Sequence, residues 1–258
     1  MRSRLAAVPA LLLVVIAIWE IVATRRDAHA VPDDAAWSRA EAIVRAGYQR
    51  GDLIVFAPGW TDPVGRLHLG DLIPLEMAAR MDAARYGRIW ELAIRDAHAP
   101  EVAGLAAART SDGDVTVRFY ERTPVTVVSD LVNLAGTAKS DGAMPRADLT
   151  EVAFEPHRCL LVPTPGTKPT RIVFPGVALG TALVGYVGIA DVFTRRESRE
   201  PVTLDVEIAG AKQTVTAPID AWVPFRLATA ARTADVAITL RWTGAGVKQI
   251  CFAAEARQ

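Results

Sequence analysis

From residue 5 to residue 23 the chain runs for 19 residues with only Pro9 and Glu20 interrupting an otherwise apolar stretch. Such a segment has no polar face to offer water, so a fold must shield it or a protease must remove it. Arg2 and Arg4 precede it, Arg25 and Arg26 follow it, and Ala28 and Ala30 flank His29. A basic start, an apolar stretch and a small-residue site together form an export signal. As a helix the run rises about 28 Å, close to the roughly 30 Å of a hydrocarbon core, with Trp19 and Glu20 near the outer interface. One expectation is an uncleaved, single-pass signal anchor in a bacterial inner membrane, with the rest of the chain in the periplasm or another extracytoplasmic space. The alternative is a signal peptide cleaved after Ala30, giving a secreted protein that starts at Val31. No second run of 18 apolar residues exists, so the chain crosses a membrane once at most.

Beyond residue 30 there is enough chain for one large domain or two small ones. Acidic and basic residues balance at 29 each, with no basic block after Arg26, which argues against a nucleic-acid partner. A hydrophobic content of 51% argues against disorder. Lysine occurs only at 139, 168, 212 and 248, and this Arg-heavy usage marks a GC-rich bacterial genome, not a function. Cys159 and Cys251 each sit in a strand-like run. If those strands are neighbours, a disulfide closes a loop of about 90 residues and suits an oxidising compartment. Otherwise the two are buried thiols acting as small hydrophobes.

Residues 33–120 alternate helix and strand. Asp33 or Asp34 caps a helix carrying Trp37, Ala40, Val44 and Tyr48 on one face. Residues 53–57 and 88–94 read as strands buried on both faces. A helix from Pro74 to Tyr86 and an Ala-rich helix from Pro100 to about Arg109 serve as crossovers, and 115–120 alternates as a third strand. The expected class is α/β plus all-β, beginning with a small Rossmann-like three-layer module over 33–120 whose strands are parallel. Residues 121–148 form a bridge and linker. From 149 to 258 the pattern changes to nine short strands, at 151–154, 158–163, 170–174, 178–186, 201–209, 212–217, 222–228, 234–242 and 248–256. Period-two alternation, as in Val202, Leu204, Val206 and Ile208, implies an antiparallel β-sandwich or jelly roll.

Two resemblances attach to these halves. Trp37 on an Ala-rich helix, the run Gly51-Asp52-Leu53-Ile54-Val55-Phe56-Ala57-Pro58 and the run Arg88-Ile89-Trp90 make 33–120 resemble the soluble extracytoplasmic portion of dolichyl-phosphate-mannose-type membrane glycosyltransferases. Those enzymes hold their catalytic loops between many spans, which this chain lacks, so no catalytic residue is carried over. The run from Pro201 to Ile208, then Ala221-Trp222-Val223-Pro224-Phe225, then strands ending at Cys251-Phe252, make 149–256 similar to the galactose-binding-like sandwiches of carbohydrate-binding modules. Fold analogy alone does not establish function.

Two sets of residues are candidates for chemistry. In the sandwich, Tyr186 and Trp222, with Trp242, offer flat faces on which a sugar can stack, and Arg226, Asp191 and Arg195 offer hydrogen bonds. Against this, a Trp on an alternating strand commonly packs in the core. In the α/β module, ligands bind beyond the carboxyl ends of parallel strands. The loops there carry Asp62, His68, Asp96 and His98, a set suited to acid–base work or to a divalent metal. The competing reading makes them caps and solvated loop residues. No dinucleotide or phosphate loop, no Gly-x-Ser-x-Gly elbow and no Cys-x-x-Cys spacing occurs, so no cofactor is expected. The combined expectation is a membrane-anchored extracytoplasmic binding protein, recognising glycan or docking on the envelope glycosylation apparatus. The alternatives are an envelope enzyme acting on glycan or phosphate ester at the loops after strands 1 and 2, and a structural scaffold.

Overall fold

The computed structural model describes residues 2–29, 31–190 and 199–258, with side chains from 11 to 25 and from 31 onward. By internal contacts the chain divides into two units, Met1–Leu72 with Arg88–Arg122, and Ile73–Gly87 with Thr123–Gln258.

The first unit begins with helix α1, Arg2–His29. Its side chains from Leu11 to Val22 stay largely exposed, although nearly all are apolar. Among the described residues no helix is long and apolar enough to cross a membrane. The side chains of 1–10, where the apolar run begins, and Ala28 and Ala30 of the cleavage site lie outside the described residues. Helix α2, Asp34–Gly47, starts where Asp33 accepts a hydrogen bond from the Ala36 amide at 2.8 Å. It buries Ala36, Trp37, Ala40 and Val44, the face its spacing implies.

A four-stranded sheet follows, in the order β1-β2-β4-β3. Strands β1, Leu53–Ala57, and β2, Arg88–Ala93, are parallel and nearly wholly buried, as their continuous apolar runs require. Strand β3, Arg109–Ser111, and strand β4, Thr116–Glu121, form an antiparallel hairpin, and β4 runs antiparallel to β2. The Rossmann-like expectation of three parallel strands is therefore corrected. Pro100 opens only the short 3-10 turn Pro100–Val102, and Gly104 at φ +76° stops it. Without a crossover helix there, the third strand can only return antiparallel.

In the second unit the helix expected over 74–86 shrinks to α4, Leu75–Ala78. The rest of Ile73–Gly87 is an irregular strap tied to the sandwich. The Ala79 carbonyl accepts from the Arg158 amide at 2.9 Å and the Ala84 carbonyl from the Val125 amide at 3.0 Å. Here tertiary pairing overrides a helical composition.

The nine expected strands all appear, with shifted ends. They are β7 (Arg146–Val152), β8 (Glu155–Pro165), β9 (Thr170–Leu179), β10 (Ala182–Ala190), β11 (Val202–Ile208), β12 (Ala211–Ala217), β13 (Val223–Ala228), β14 (Arg232–Arg241) and β15 (Val247–Arg257). Two short strands from the bridge join them, β5 (Val127–Asp130) and β6 (Lys139–Ser140). One sheet runs β12-β11-β14-β9-β6. The other contains β13, β10, β7, β8, β15 and β5. In it, β10 pairs along one edge of β15, while β8 and then β5 share the opposite edge.

The two sheets enclose one apolar core. It takes Val202, Leu204, Val206 and Ile208 from β11, Val236, Ile238 and Leu240 from β14, and Phe252, Ala254 and Ala256 from β15. Trp242 is 7% exposed and belongs to this core, so it offers no platform to a sugar.

Cys159 and Cys251 form a disulfide between β8 and β15, with Cα atoms 5.7 Å apart and 92 residues of separation. In the chain-entropy model, closing a loop of that length stabilises by about 4–5 kcal/mol. The Cys159→Ala/Cys251→Ala protein is expected to lose about that much unfolding free energy, read as a lower denaturant midpoint. Unchanged unfolding would mean that the core alone holds β8 against β15.

Candidate functional site

The outer face of the six-stranded sheet, turned away from the core, carries the most concentrated chemistry of the second unit. On β10 and β15 this face presents Val184, Tyr186, Ala253, Glu255 and Arg257, because Leu183, Val187, Phe252 and Ala254 point inward. The strap lies over it. Arg257, nearly buried, donates to both carboxylate oxygens of Asp82 at 2.9 Å and to Glu255 at 2.9 Å. Burial opposes the Arg257 charge, but the pairing with Asp82 and Glu255 outweighs it and lifts its pKa above the ordinary guanidinium value.

Between strap and sheet lies a cleft of about 350 Å³. From the strap it is lined by Glu76, Arg80, Asp82, Arg85 and Tyr86 among others, and from the sheet side by Asp130, Asn133, Arg158, Ala253 and Glu255. Arg85 bonds to Asp130 at 3.1 Å and also to Glu255. Arg158 bonds to Asn133 at 2.6 Å and to Asp130 at 3.4 Å. Burial raises the pKa of Tyr86, keeping its hydroxyl neutral at ordinary pH. The cleft thus combines fixed guanidinium donors, carboxylate and amide acceptors, and an aromatic ring. Such a set offers both donors and acceptors for hydrogen bonds.

Next to this cleft, three rings stack. Trp222 lies 4.4 Å from His157 and 5.7 Å from Tyr186, at interplanar angles of 20° and 13°. Its indole N–H donates to the Met81 carbonyl of the strap at 3.4 Å. Tyr186 and Trp222, expected as an open platform, are therefore half-buried and engaged with each other under the strap. Arg226 is exposed on β13, opposite Val184. Asp191 and Arg195 lie outside the described residues.

In the first unit, the set Asp62, His68, Asp96 and His98 is not assembled into one group. Among the described residues no three His, Cys, Asp or Glu side chains are placed to hold a metal ion. Asp62 pairs with Arg66 one helical turn along α3, Asp62–Leu69. His68 is drawn to α2, 3.2 Å from Glu41 and 3.3 Å from Asp34, and stacks on Trp37. Asp96 sits in the left-handed region beside Arg95, both at φ +55°. His98 lies with Nδ1 3.3 Å from the fully buried Glu91, which also accepts from Arg118, Tyr120 and the Ala99 amide.

Sequence reasoning missed the strap and its partners Asp82, Arg85, Asp130, Arg158, Glu255 and Arg257. One signal was present. Glu255 and Arg257 stand two apart in the otherwise apolar run that ends the chain, so a strand places both charges on one face, where they require partners.

No known protein family and no curated protein matches the chain. Similar folds occur among solved structures. One is the second family-51 carbohydrate-binding module, with adjoining domains, of ZmpB from Clostridium perfringens, in complex with GlcNAc. It is 15% identical, with a TM-score of 0.37, covering 57% of this chain and 35% of that one. Another is the CBM51 module of a Clostridium perfringens GH95 protein, in complex with methyl-galactose. It is 11% identical at a TM-score of 0.33, covering 60% and 97%. A third is TmCBM61 in complex with β-1,4-galactotriose, 13% identical at 0.31, covering 48% and 90%. The chain thus spans about a third of the first of these. Likenesses of this size carry no argument about activity. None of them supports the glycosyltransferase resemblance of 33–120.

His157 supplies a test of how firmly the strap is seated. Burial pushes its pKa down from 6.5 to about 4, with the Arg80 backbone offsetting part of the shift. The fold favours the neutral ring, so this contribution is complete above pH 6.5 and is lost as pH falls from 6.5 towards 4. Full titration corresponds to about 3 kcal/mol. Urea unfolding across that window is expected to show a steeper loss of stability in the natural protein than in His157→Gln. Equal slopes would remove His157 as the titrating group.

Proposed function

We propose that this chain is an extracytoplasmic binding protein of the bacterial envelope that recognises glycan in the cleft beneath the strap, held to the membrane by α1. The observation that carries the reading is the cleft itself, where Arg85, Arg158, Asp130, Asn133 and Tyr86 are gathered around about 350 Å³. A sugar ring fits such a volume, its hydroxyls meet donors and acceptors already fixed by pairing, and its apolar face suits a tyrosine. Fixed partners reduce the side-chain entropy lost on binding.

Two further observations support the address. The disulfide suits an oxidising compartment. The exposed apolar side chains of α1 suit a lipid environment better than water. Docking on an envelope glycosylation apparatus remains part of this reading, since such machinery presents glycan. A second reading, an envelope enzyme, is favoured by the His98–Glu91 pair alone.

Glycan-array binding by the full chain in detergent tests the proposal. Saturable binding to a defined glycan is expected. Arg158→Gln is expected to weaken it about 10–100-fold, the worth of one charged hydrogen bond. Folding would be checked by the unfolding midpoint. An array without signal, from protein that unfolds cooperatively, would overturn glycan recognition.

A further inference from the structure

The first unit exposes an apolar ridge that its own fold does not use. Trp60, Val64 and Leu67, spaced to share one side of the turn Gly59–Thr61 and helix α3, are 61%, 39% and 84% exposed. Most of the other large apolar side chains of α2 and the sheet are buried, so this is a local choice of the sequence and not a general looseness of packing.

The position of the ridge points to its partner. His68, next to Leu67, lies 3.3 Å from Asp34, the first residue of α2. Four residues separate Asp34 from His29, where α1 ends. Five Cα steps at about 3.5 Å bound the distance from that end to Asp34 to roughly 17 Å. Val31, within this short connection, is itself exposed. The ridge is therefore tethered close to the end of the apolar helix. A Trp with aliphatic neighbours is the composition that enters the headgroup region of a bilayer.

We infer that Trp60, Val64 and Leu67 dip into the outer interface of the bilayer that holds α1, laying the first unit against the lipid surface. This rests on the anchoring of α1 proposed above. The ridge adds a second lipid contact to the one made by α1.

Site-directed spin labelling separates the two claims. The full chain would be reconstituted in phosphatidylethanolamine–phosphatidylglycerol vesicles, with nitroxides placed singly through Val14→Cys in α1, Leu67→Cys on the ridge and Asp112→Cys in the exposed β3–β4 turn. The readout is accessibility to oxygen against a water-soluble nickel chelate. The expected result is a lipid-type ratio at 14, a ratio at 67 several-fold above that at 112, and an aqueous ratio at 112. A lipid-type ratio at 14 with 67 matching 112 would overturn the ridge while leaving the anchor standing. An aqueous ratio at both 14 and 67 would overturn anchor and ridge together. An aqueous ratio at 14 with a lipid-type ratio at 67 would sink the anchor and, with it, the inference as stated, leaving a lipid contact made by the ridge without α1.

Discussion

Arg257 and the two carboxylates it holds are the interaction on which the second unit depends. A sandwich covers only the inner faces of its sheets, and on the outer face of β10 and β15 the apolar Val184, the flank of Tyr186 and Ala253 lie beside the charged Glu255 and Arg257. The strap supplies the cover, and the bidentate Arg257–Asp82 pair is its firmest attachment. Neither partner of such a pair can be removed cheaply. Breaking a buried pair leaves an uncompensated charge and costs about 3–5 kcal/mol. Once Asp82 is fixed, Met81 meets the Trp222 indole, and Arg85 meets Asp130 and Glu255. The cleft is the space left between a strap held this way and the sheet below.

The same cover explains a feature of the sequence. Strand β15 is buried along almost its whole length, on both faces, although it belongs to an antiparallel sheet. Antiparallel strands usually alternate because one face meets water. Here the inner residues meet the other sheet and the outer ones meet the strap, so alternation disappears. Glu255 and Arg257 persist in that run because they pair with each other and because the strap brings Arg85 to Glu255 and Asp82 to Arg257.

What could be read in advance followed from periodicity. The alternation of Val202 to Ile208 and of Val236 to Leu240 placed two strands of the sandwich correctly, since period two with one buried face has few other solutions. The parallel pairing of β1 and β2 was legible for the complementary reason, that runs buried throughout need neighbours on both sides. Local composition misled where tertiary partners decided the outcome. Residues 79–87 have helix-forming side chains, yet Asp82 and Arg85 are worth more to the fold as ion partners than as members of a helical turn. The candidate site failed to show for a related reason. Tyr186 and Trp222 were visible as aromatic rings of the sandwich, but no local pattern states what covers an outer face. The loop expected after β1 instead forms helix α3, which turns His68 towards Glu41 of α2, while His98 lies against the buried Glu91, so the two histidines share no ligand.

The order of the chain gives the strap its further significance. It is inserted between β1 and β2, so the polypeptide passes from one unit to the other three times, after Leu72, Gly87 and Arg122. Both flanks of the strap are fixed in the first unit. Tyr48 donates to the Leu72 carbonyl, and Arg88 is held by the buried carboxylate of Asp52. What holds the strap to the sheet is internal to the second unit: the Arg257–Asp82 pair, the bonds of Arg85 to Asp130 and Glu255, and the backbone bonds of Ala79 and Ala84. Because the strap is inserted between β1 and β2, neither unit is a contiguous stretch of sequence, and the cleft needs residues of 73–87 as well as those of the sandwich strands.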